Sequence, residues 1–422
     1  MRDYAILLPG QGSQYIGMGK ELYDGYGIVR KIYDDANEIL NFNIRDLCFN
    51  GNIEELSNTE NAQPAILLAG VAAFKVFMEE MKKKPKFICG HSIGEITALT
   101  CSGAIKLENA IKIVKKRGEL MGMASYNKKG IMAAIIGSNL EKIQAICKTT
   151  TDENDYVGIA NFNSYDQIVI SGYEKSVKSV ISKLNEMNED GIILNVKGAF
   201  HSPLMEPVVE EFKEELEKYE FNDIDINVIS NVDALPYIDK NEIKQKLVNQ
   251  IVNPVKWIQT MEYLKRNGVD CAVDLGPKSI VKNLLKKSEL NIKSYAFEGG
   301  KDEAIEYLTR GEKKNHNSVN DYMNTIVTKC IAIAVCTQNK NLNDAEYEDG
   351  VVKPYRKMKE MQGNIEKENR KPSKEECLES MNLLKNIFET KKTPIEEQTD
   401  RFSEILQVTS NKDFNVSINE IN

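Results

Sequence analysis

Phe87-Ile88-Cys89-Gly90-His91-Ser92-Ile93-Gly94-Glu95 reads as a strand, a tight turn and the start of a helix. The apolar run ends at Gly90, the pentapeptide G-x-S-x-G follows, and a helix-compatible stretch continues from Glu95 to Thr100. Small residues on both sides of Ser92 let backbone segments pass closely and leave its hydroxyl exposed. The helix beyond it offers free N–H groups to a developing oxyanion. The pentapeptide alone is also an ordinary glycine-bounded turn; a strand before it and a helix after it favour a nucleophile.

Outward from that turn the chain alternates strands and helices, which predicts an α/β fold. Tyr4-Ala5-Ile6-Leu7-Leu8 is a continuous apolar run stopped by Pro9-Gly10, suited to a strand covered on both faces in a parallel sheet. Leu67, Val71, Phe74 and Met78 recur at helical spacing and predict a helix from Pro64 to Met78. Between Ile131 and Val196 the order becomes strand (Met132 to Ile136), helix (Leu140 to Lys148), two strands (Tyr156 to Phe162, Gln167 to Gly172), helix (Glu174 to Asn188) and strand (Gly191 to Val196). That order is the ferredoxin-like split unit. Strands at Ile226 to Ser230 and Cys271 to Leu275, with helical material at Asn241 to Leu264, return to the α/β pattern. The expected architecture is a large α/β-hydrolase-like core with a parallel sheet, built from 1–128 and 198–300. A ferredoxin-like small subdomain, 129–197, is inserted in it, and an α-helical C-terminal extension, 301–422, follows.

In the extension only Gly311, Gly350 and Gly363 remain of 26 glycines, so it reads as helical. Ser373 to Glu376 after Pro372, and Thr393 to Glu396, are helix-start signals, and Met323, Ile326, Val327, Cys330 and Val335 form an earlier amphipathic stretch. No catalytic constellation is evident there.

The bulk numbers restrict the function. A chain of 422 residues with 41% hydrophobic and 28% charged residues is expected to be soluble and folded, in one large domain with an insertion or in two to three domains. A net charge of -8 with dispersed Lys and Arg disfavours nucleic-acid binding. The start MRDYAILLPG lacks the longer apolar stretch of a signal peptide, and no transmembrane run is expected. Eight cysteines stand apart, with no CxxC pair or zinc spacing, which predicts reduced thiols in the cytoplasm.

A serine nucleophile needs a base, most often histidine, and the chain has three histidines. His91 adjoins Ser92, where its ring should point away from the hydroxyl and serve packing or support. His316 lies in a polar, Asn-rich segment and reads as a surface residue. His201, in Gly198-Ala-Phe-His-Ser-Pro-Leu-Met205, follows the last strand of the insertion and is the base by elimination. Pro9-Gly10-Gln11-Gly12-Ser13-Gln14 should sit at the same strand-end edge as Ser92. It lacks the Rossmann spacing and the P-loop lysine, so nucleotide binding is a poor second. Arg117, beside Lys115 and Lys116, reads equally as a functional or a solvated residue.

Six segments together carry a family resemblance: PGQGSQ at 9–14, GHSIGE at 90–95, KRGELM at 116–121, NFNSYDQIVISG at 161–172, GAFHSPLM at 198–205 and QIVNPVKW at 250–257. In this order, over residues 1 to about 300, the chain resembles the malonyl-CoA:acyl-carrier-protein transacylases of fatty acid synthesis and the acyltransferases of polyketide synthases. The resemblance implies Ser92 as acylated nucleophile, His201 as base, the backbone N–H groups of Gln11 and Ile93 as oxyanion hole, and the backbone carbonyl of Gln250 orienting His201 in place of an acid. It also implies that Arg117 pairs with the malonyl carboxylate, and that Phe200 crowds the branch carbon of methylmalonyl; a buried core aromatic is the other reading of Phe200. His91 joins Arg117 and Phe200 in the implied substrate-binding set. Malonyl-CoA and an acyl carrier protein are the implied partners, with polyketide synthase modules as further ones, and neither metal nor redox cofactor is called for. Two departures stand out: Ile93 replaces the usual leucine of GHSLGE, and Gly276-Pro277-Lys278 replaces glycine-proline-glycine. The alternatives are an acyl hydrolase acting on carrier thioesters, a simple serine esterase and a non-catalytic carrier-docking protein. The extension has no assigned counterpart, and a docking role for a synthase acting in trans is one expectation.

Overall fold

Among the described residues the strands are, in chain order, β1 Ala5–Leu8, β2 Phe87–Gly90, β3 Gly130–Ile136, β4 Val157–Ser164, β5 Gln167–Tyr173, β6 Asp190–Ile193, β7 Val228–Ile229, β8 Cys271–Asp274 and β9 Lys293–Ala296. They come from a computed structural model that describes residues 2–309 and 325–408, apart from positions 82, 128, 129, 138, 153, 154, 197, 338, 340, 342 and 369. The chain divides into two compact units, 1–312 and 313–422. His316 and Met323 lie outside the described residues.

In the first unit β1 and β2 are buried at every position, as their uninterrupted apolar sequence requires. They lie at the centre of a parallel sheet of order β7-β2-β1-β8-β9. Leu8 pairs with Gly90, so the Pro9-Gly10-Gln11 turn and the Ser92 turn leave the sheet side by side, at the carboxyl ends of their strands. The helix Thr59–Glu80 covers this sheet and begins five residues before Pro64, where the periodicity starts. It is long and apolar enough to cross a membrane, which the sequence analysis does not expect of any run. Yet 83% of its apolar window is buried inside the protein. Core packing accounts for its composition.

The second sheet is antiparallel, with order β4-β5-β3-β6 and one helix, Leu140–Thr150 or Glu174–Asn185, in each crossover. This is the split β-α-β-β-α-β arrangement read from the sequence. Its last strand stops at Ile193 instead of Val196. Leu194 N–H still donates to Met132 O at 2.9 Å, after which the chain leaves the sheet and Val196 packs against the large core. Similarly, the predicted strand Ile226 to Ser230 contracts to β7, and Asn241 to Leu264 divides into helices Asn241–Val252 and Trp257–Arg266. Pro254 lies between them, where it cannot continue a helix.

The second unit is helical: Ile326–Cys336, Asp344–Tyr347, Lys353–Lys367, Lys374–Thr390 and Ile395–Val408. Its core includes Cys330, Met358, Met381, Leu384, Phe388 and Ile405. Ser373 Oγ accepts from Glu376 N–H at 3.2 Å while Glu376 Oε2 accepts from Ser373 N–H at 2.7 Å, the reciprocal cap read from the sequence. The helix Ile395–Val408 starts just after Thr393-Pro394, and the side chain of Glu396 lies outside the described ones. Buried Lys391 donates from Nζ to Ala334 O (2.7 Å) and Thr337 O (2.9 Å), closing the end of the helix Ile326–Cys336.

Candidate active site

The spacing of the G-x-S-x-G turn follows from contact distances. A Cβ on Gly90 would lie 1.8 Å from Gly94 O, and one on Gly94 would lie 2.4 Å from Leu8 O, so neither position admits a side chain. Between them Ser92 is forced to φ 53°, ψ -114°, outside the regions L-residues favour. Such strain costs on the order of 1–3 kcal/mol and persists only where neighbours hold it. Here Asn231 Oδ1 accepts from Ser92 N–H at 2.7 Å, Asn231 Nδ2 donates to Gly90 O at 2.7 Å, and Gln250 Nε2 donates to Ser92 O at 3.0 Å.

The turn aims the hydroxyl at His201. Ser92 Oγ lies 2.7 Å from His201 Nε2, and His201 Nδ1 lies 2.8 Å from Gln250 O. A carbonyl oxygen only accepts, so Nδ1 carries the ring hydrogen and Nε2 presents a lone pair to the hydroxyl. Burial, and then the nearby Arg117 charge, lower the His201 pKa from its ordinary 6.5 to about 3. The ring is therefore neutral and able to accept a proton.

A pH signature follows. Between pH 6.5 and about 3 the unfolded chain protonates this histidine while the native chain does not. The stability associated with neutral His201 is thus full above pH 6.5 and falls on acidification. Replacing His201 by Gln removes that dependence. Wild type should lose about 2 kcal/mol relative to His201→Gln between pH 7.5 and 5, read by denaturant melts. A pH-independent difference between the two proteins would contradict the buried neutral ring.

Arg117 comes from the helix Leu107–Asn127. A Cβ on Gly118 would lie 2.6 Å from Thr59 O, so this helix packs tightly against the start of Thr59–Glu80. Lys116 pairs with Glu211 at the surface, whereas Arg117 is 1% exposed. Nη1 donates to Gln63 Oε1 at 2.9 Å and Nη2 to Gln250 Oε1 at 2.7 Å, with Ser92 Oγ 3.4 Å from Nη2. Nε is buried without a partner among the described residues. Desolvation lowers the Arg117 pKa to about 10, so the guanidinium stays charged at neutral pH. Beside it, wholly buried Glu95 accepts from the Tyr237 hydroxyl, from Gln250 Nε2 (2.6 Å) and from Asn231 N–H (3.1 Å). Its pKa is raised to about 7 by desolvation.

Around Ser92 and His201 a cleft of about 180 Å³ is lined by Gly10, Gln11, His91 and Phe200, by Asn161, Asn163 and Val169 of the small sheet, and by Ile280 and Leu284. Two larger hollows, of about 880 and 850 Å³, contain neither Ser92 nor His201, so chemistry and not size locates the site. Phe200 is 6% exposed and both lines the cleft and belongs to the core. His91 Nε2 lies 2.8 Å from Asn163 Oδ1, and its ring packs on Trp257. It ties the Ser92 turn to the small sheet. Ile93 opens the helix Ile93–Cys101, and Gly94 N–H and Glu95 N–H turn back onto His91 O and Ser92 O. The Gln11 side chain donates to Thr59 Oγ1 at 3.4 Å. Sequence reasoning missed Gln63, Glu95, Asn163, Asn231 and Tyr237, and assigned Gln250 by its carbonyl alone. Glu95 and Asn163 do stand in the quoted GHSIGE and NFNSYDQIVISG segments; Gln63, Asn231 and Tyr237 carry no spacing signal.

A strained serine on a strand-to-helix turn, bonded to a neutral histidine over a parallel sheet, belongs to the acyl-transferring class, and the acyl transferase domain model matches residues 6–329. The chain belongs to the malonyl CoA-acyl carrier protein transacylase family. It is 34% identical to a malonyl CoA-acyl carrier protein transacylase of Bacillus subtilis over 94% of this chain and 99% of that protein. That match runs well past residue 300, so the helical extension does have a counterpart in a relative. The transacylase structure from Coxiella burnetii superposes with TM-score 0.71 and 33% identity, over 73% of this chain and 98% of its own. A malonyl-transacylase solved with a type II PKS acyl-carrier protein gives TM-score 0.70 and 32% identity, over 72% and 99%.

Proposed function

We propose that this chain is a malonyl-CoA:acyl-carrier-protein S-malonyltransferase working by a ping-pong route through Ser92. The observation that carries the mechanism is the 2.7 Å contact between Ser92 Oγ and the unprotonated Nε2 of His201. His201 takes the Ser92 proton as Oγ attacks the malonyl thioester carbon, and the C–S bond breaks. Coenzyme A leaves as the thiol with that proton. The phosphopantetheine thiol of the carrier then gives its proton to His201 and attacks the malonyl-serine ester, which releases Ser92 with a proton returned from His201. The Gln11 and Ile93 N–H groups hold the oxyanion in both halves. Thioester and ester are close in energy, so the protein chiefly has to exclude water and present the right thiol.

The cleft is small for a whole ligand and suits a short acyl group whose carrier lies outside it. Arg117, with a charged fork and a free Nε–H, is the partner of the malonyl carboxylate. Phe200 crowds a branch carbon, a discrimination worth about 1–3 kcal/mol, and His91 supports the acyl-facing wall. An acyl carrier protein partner is supported by the carrier-bound neighbour, and delivery to fatty acid or polyketide synthesis fits the family. The seven cysteines whose side chains are described are free, as a reducing cytoplasmic setting allows.

Incubating the full chain with a mixture of malonyl-, methylmalonyl- and acetyl-CoA and weighing the intact protein tests this reading. A malonyl adduct dominating the spectrum and discharged by holo carrier protein is the expected result. Adducts in proportion to the mixture would refute the malonyl preference, and discharge to water at the same rate as to the carrier would point instead to the hydrolase alternative.

A further inference from the structure

Gln250 serves the site through its main chain and, separately, through its side chain. The amide joins two buried charged groups that form no direct ion pair. Oε1 accepts from Arg117 Nη2 at 2.7 Å, while Nε2 donates to Glu95 Oε2 at 2.6 Å and to Ser92 O at 3.0 Å. Turned over, the amide would set its NH2 against guanidinium donors and its oxygen against a carboxyl and a carbonyl, so only one orientation satisfies the network. Glu95 dictates that orientation because its own place is held by the Tyr237 hydroxyl and Asn231 N–H. Among the described residues the guanidinium is meanwhile held by neutral oxygens alone, from Gln63, Gln250 and, at 3.4 Å, Ser92, which leave its charge available to a ligand. A carboxylate in direct contact would neutralise it.

We propose that Glu95 is a positioning residue for acyl selectivity: through the Gln250 amide it holds the Arg117 guanidinium beside Ser92 and so sets the preference for a carboxylated acyl group over an uncharged one. This inference rests on Arg117 being the carboxylate partner. Glu95 sits one amide away from the guanidinium, close enough to orient it without competing for it.

The test compares kcat and KM for malonyl-CoA and acetyl-CoA in the full chain. Glu95→Leu, which removes the anchor, should lower kcat/KM for malonyl-CoA 10- to 100-fold more than for acetyl-CoA, mainly through KM; the acetyl-CoA loss reads the part of the effect that reaches the Ser92 turn through Asn231 and Gln250. Glu95→Gln should restore malonyl-CoA to within about threefold of wild type, since its oxygen can take Gln250 Nε2 and its NH2 can face the Tyr237 hydroxyl. Tyr237→Phe, which keeps the core volume, should show the same selective loss at about three- to tenfold, and decides the matter if Glu95→Leu does not fold. Equal losses for both substrates, or unchanged selectivity in these variants, would overturn the proposal. Arg117→Ala run alongside separates the two ideas: if it leaves the malonyl preference intact, the carboxylate reading itself fails. If only the Glu95 and Tyr237 variants keep the preference, the inference alone fails.

Discussion

Ser92→Ala leaves no covalent acyl adduct on the intact protein and lowers kcat/KM for malonyl transfer by at least about 10⁴-fold, some 5.4 kcal/mol at 1.36 kcal/mol per decade. No other described group takes its place: the hydroxyl is the one oxygen that the strained turn presents to an unprotonated ring nitrogen at 2.7 Å. His201→Ala should cost a similar factor, because the hydroxyl alone is a weak nucleophile at neutral pH. The double variant should be scarcely worse than either single one, since nucleophile and base act as one unit. Steady-state transfer rates and intact-mass spectra of the three variants check this. An undiminished adduct in Ser92→Ala would place the nucleophile elsewhere.

How far sequence alone reaches depends on whether a residue announces itself locally. Tyr4 to Leu8 and Phe87 to Cys89 do, because strands covered on both faces must be apolar throughout, and the resulting elements are buried at every position. The split antiparallel unit shows itself by its order of elements. β9, Lys293-Ser-Tyr-Ala296, went unread: an edge strand with mixed polarity has neither a continuous apolar run nor strict alternation, and parallel pairing with β8 forms it. The same division runs through the site. Ser92 and His201 are legible because chemistry limits the residue types and the chain holds few histidines. Asn231 and Tyr237, from the connection after β7, and Gln63, from the helix Thr59–Glu80, meet only in the fold, each as one ordinary polar residue. Arg117 stood among lysines, and helix packing at Gly118 separates it from them by turning it inward.

The electrostatics of the pocket have one sign. His201 is neutral, Arg117 is charged, and Glu95, the carboxyl whose charge acts on Arg117, is linked to it by hydrogen bonds through the Gln250 amide and is itself pushed toward its protonated form by burial. A buried guanidinium without a directly paired anion is costly, and an incoming carboxylate relieves that cost. The same anion would offset the Arg117 charge that adds to burial in lowering the His201 pKa, so a carboxylated acyl group would improve the base on binding.

Arg117→Ala is therefore expected to act mainly on acyl choice. Removing one partner of a desolvated, hydrogen-bonded charge pair costs about 2–5 kcal/mol, which is about 30- to 5,000-fold in kcat/KM for malonyl-CoA. For acetyl-CoA the change should be far smaller, because no carboxylate is left unpaired and the Ser92–His201 contact does not run through the guanidinium. Arg117→Lys should fall between the two, retaining charge but not the planar fork that Gln63 and Gln250 hold from either side. Competition between malonyl-CoA and acetyl-CoA for Ser92, read as the ratio of the two adducts by mass, measures the effect without a carrier protein. A ratio unmoved by Arg117→Ala, in a variant that melts like wild type, would mean that the carboxylate is recognised by some other group and that the buried guanidinium serves the fold.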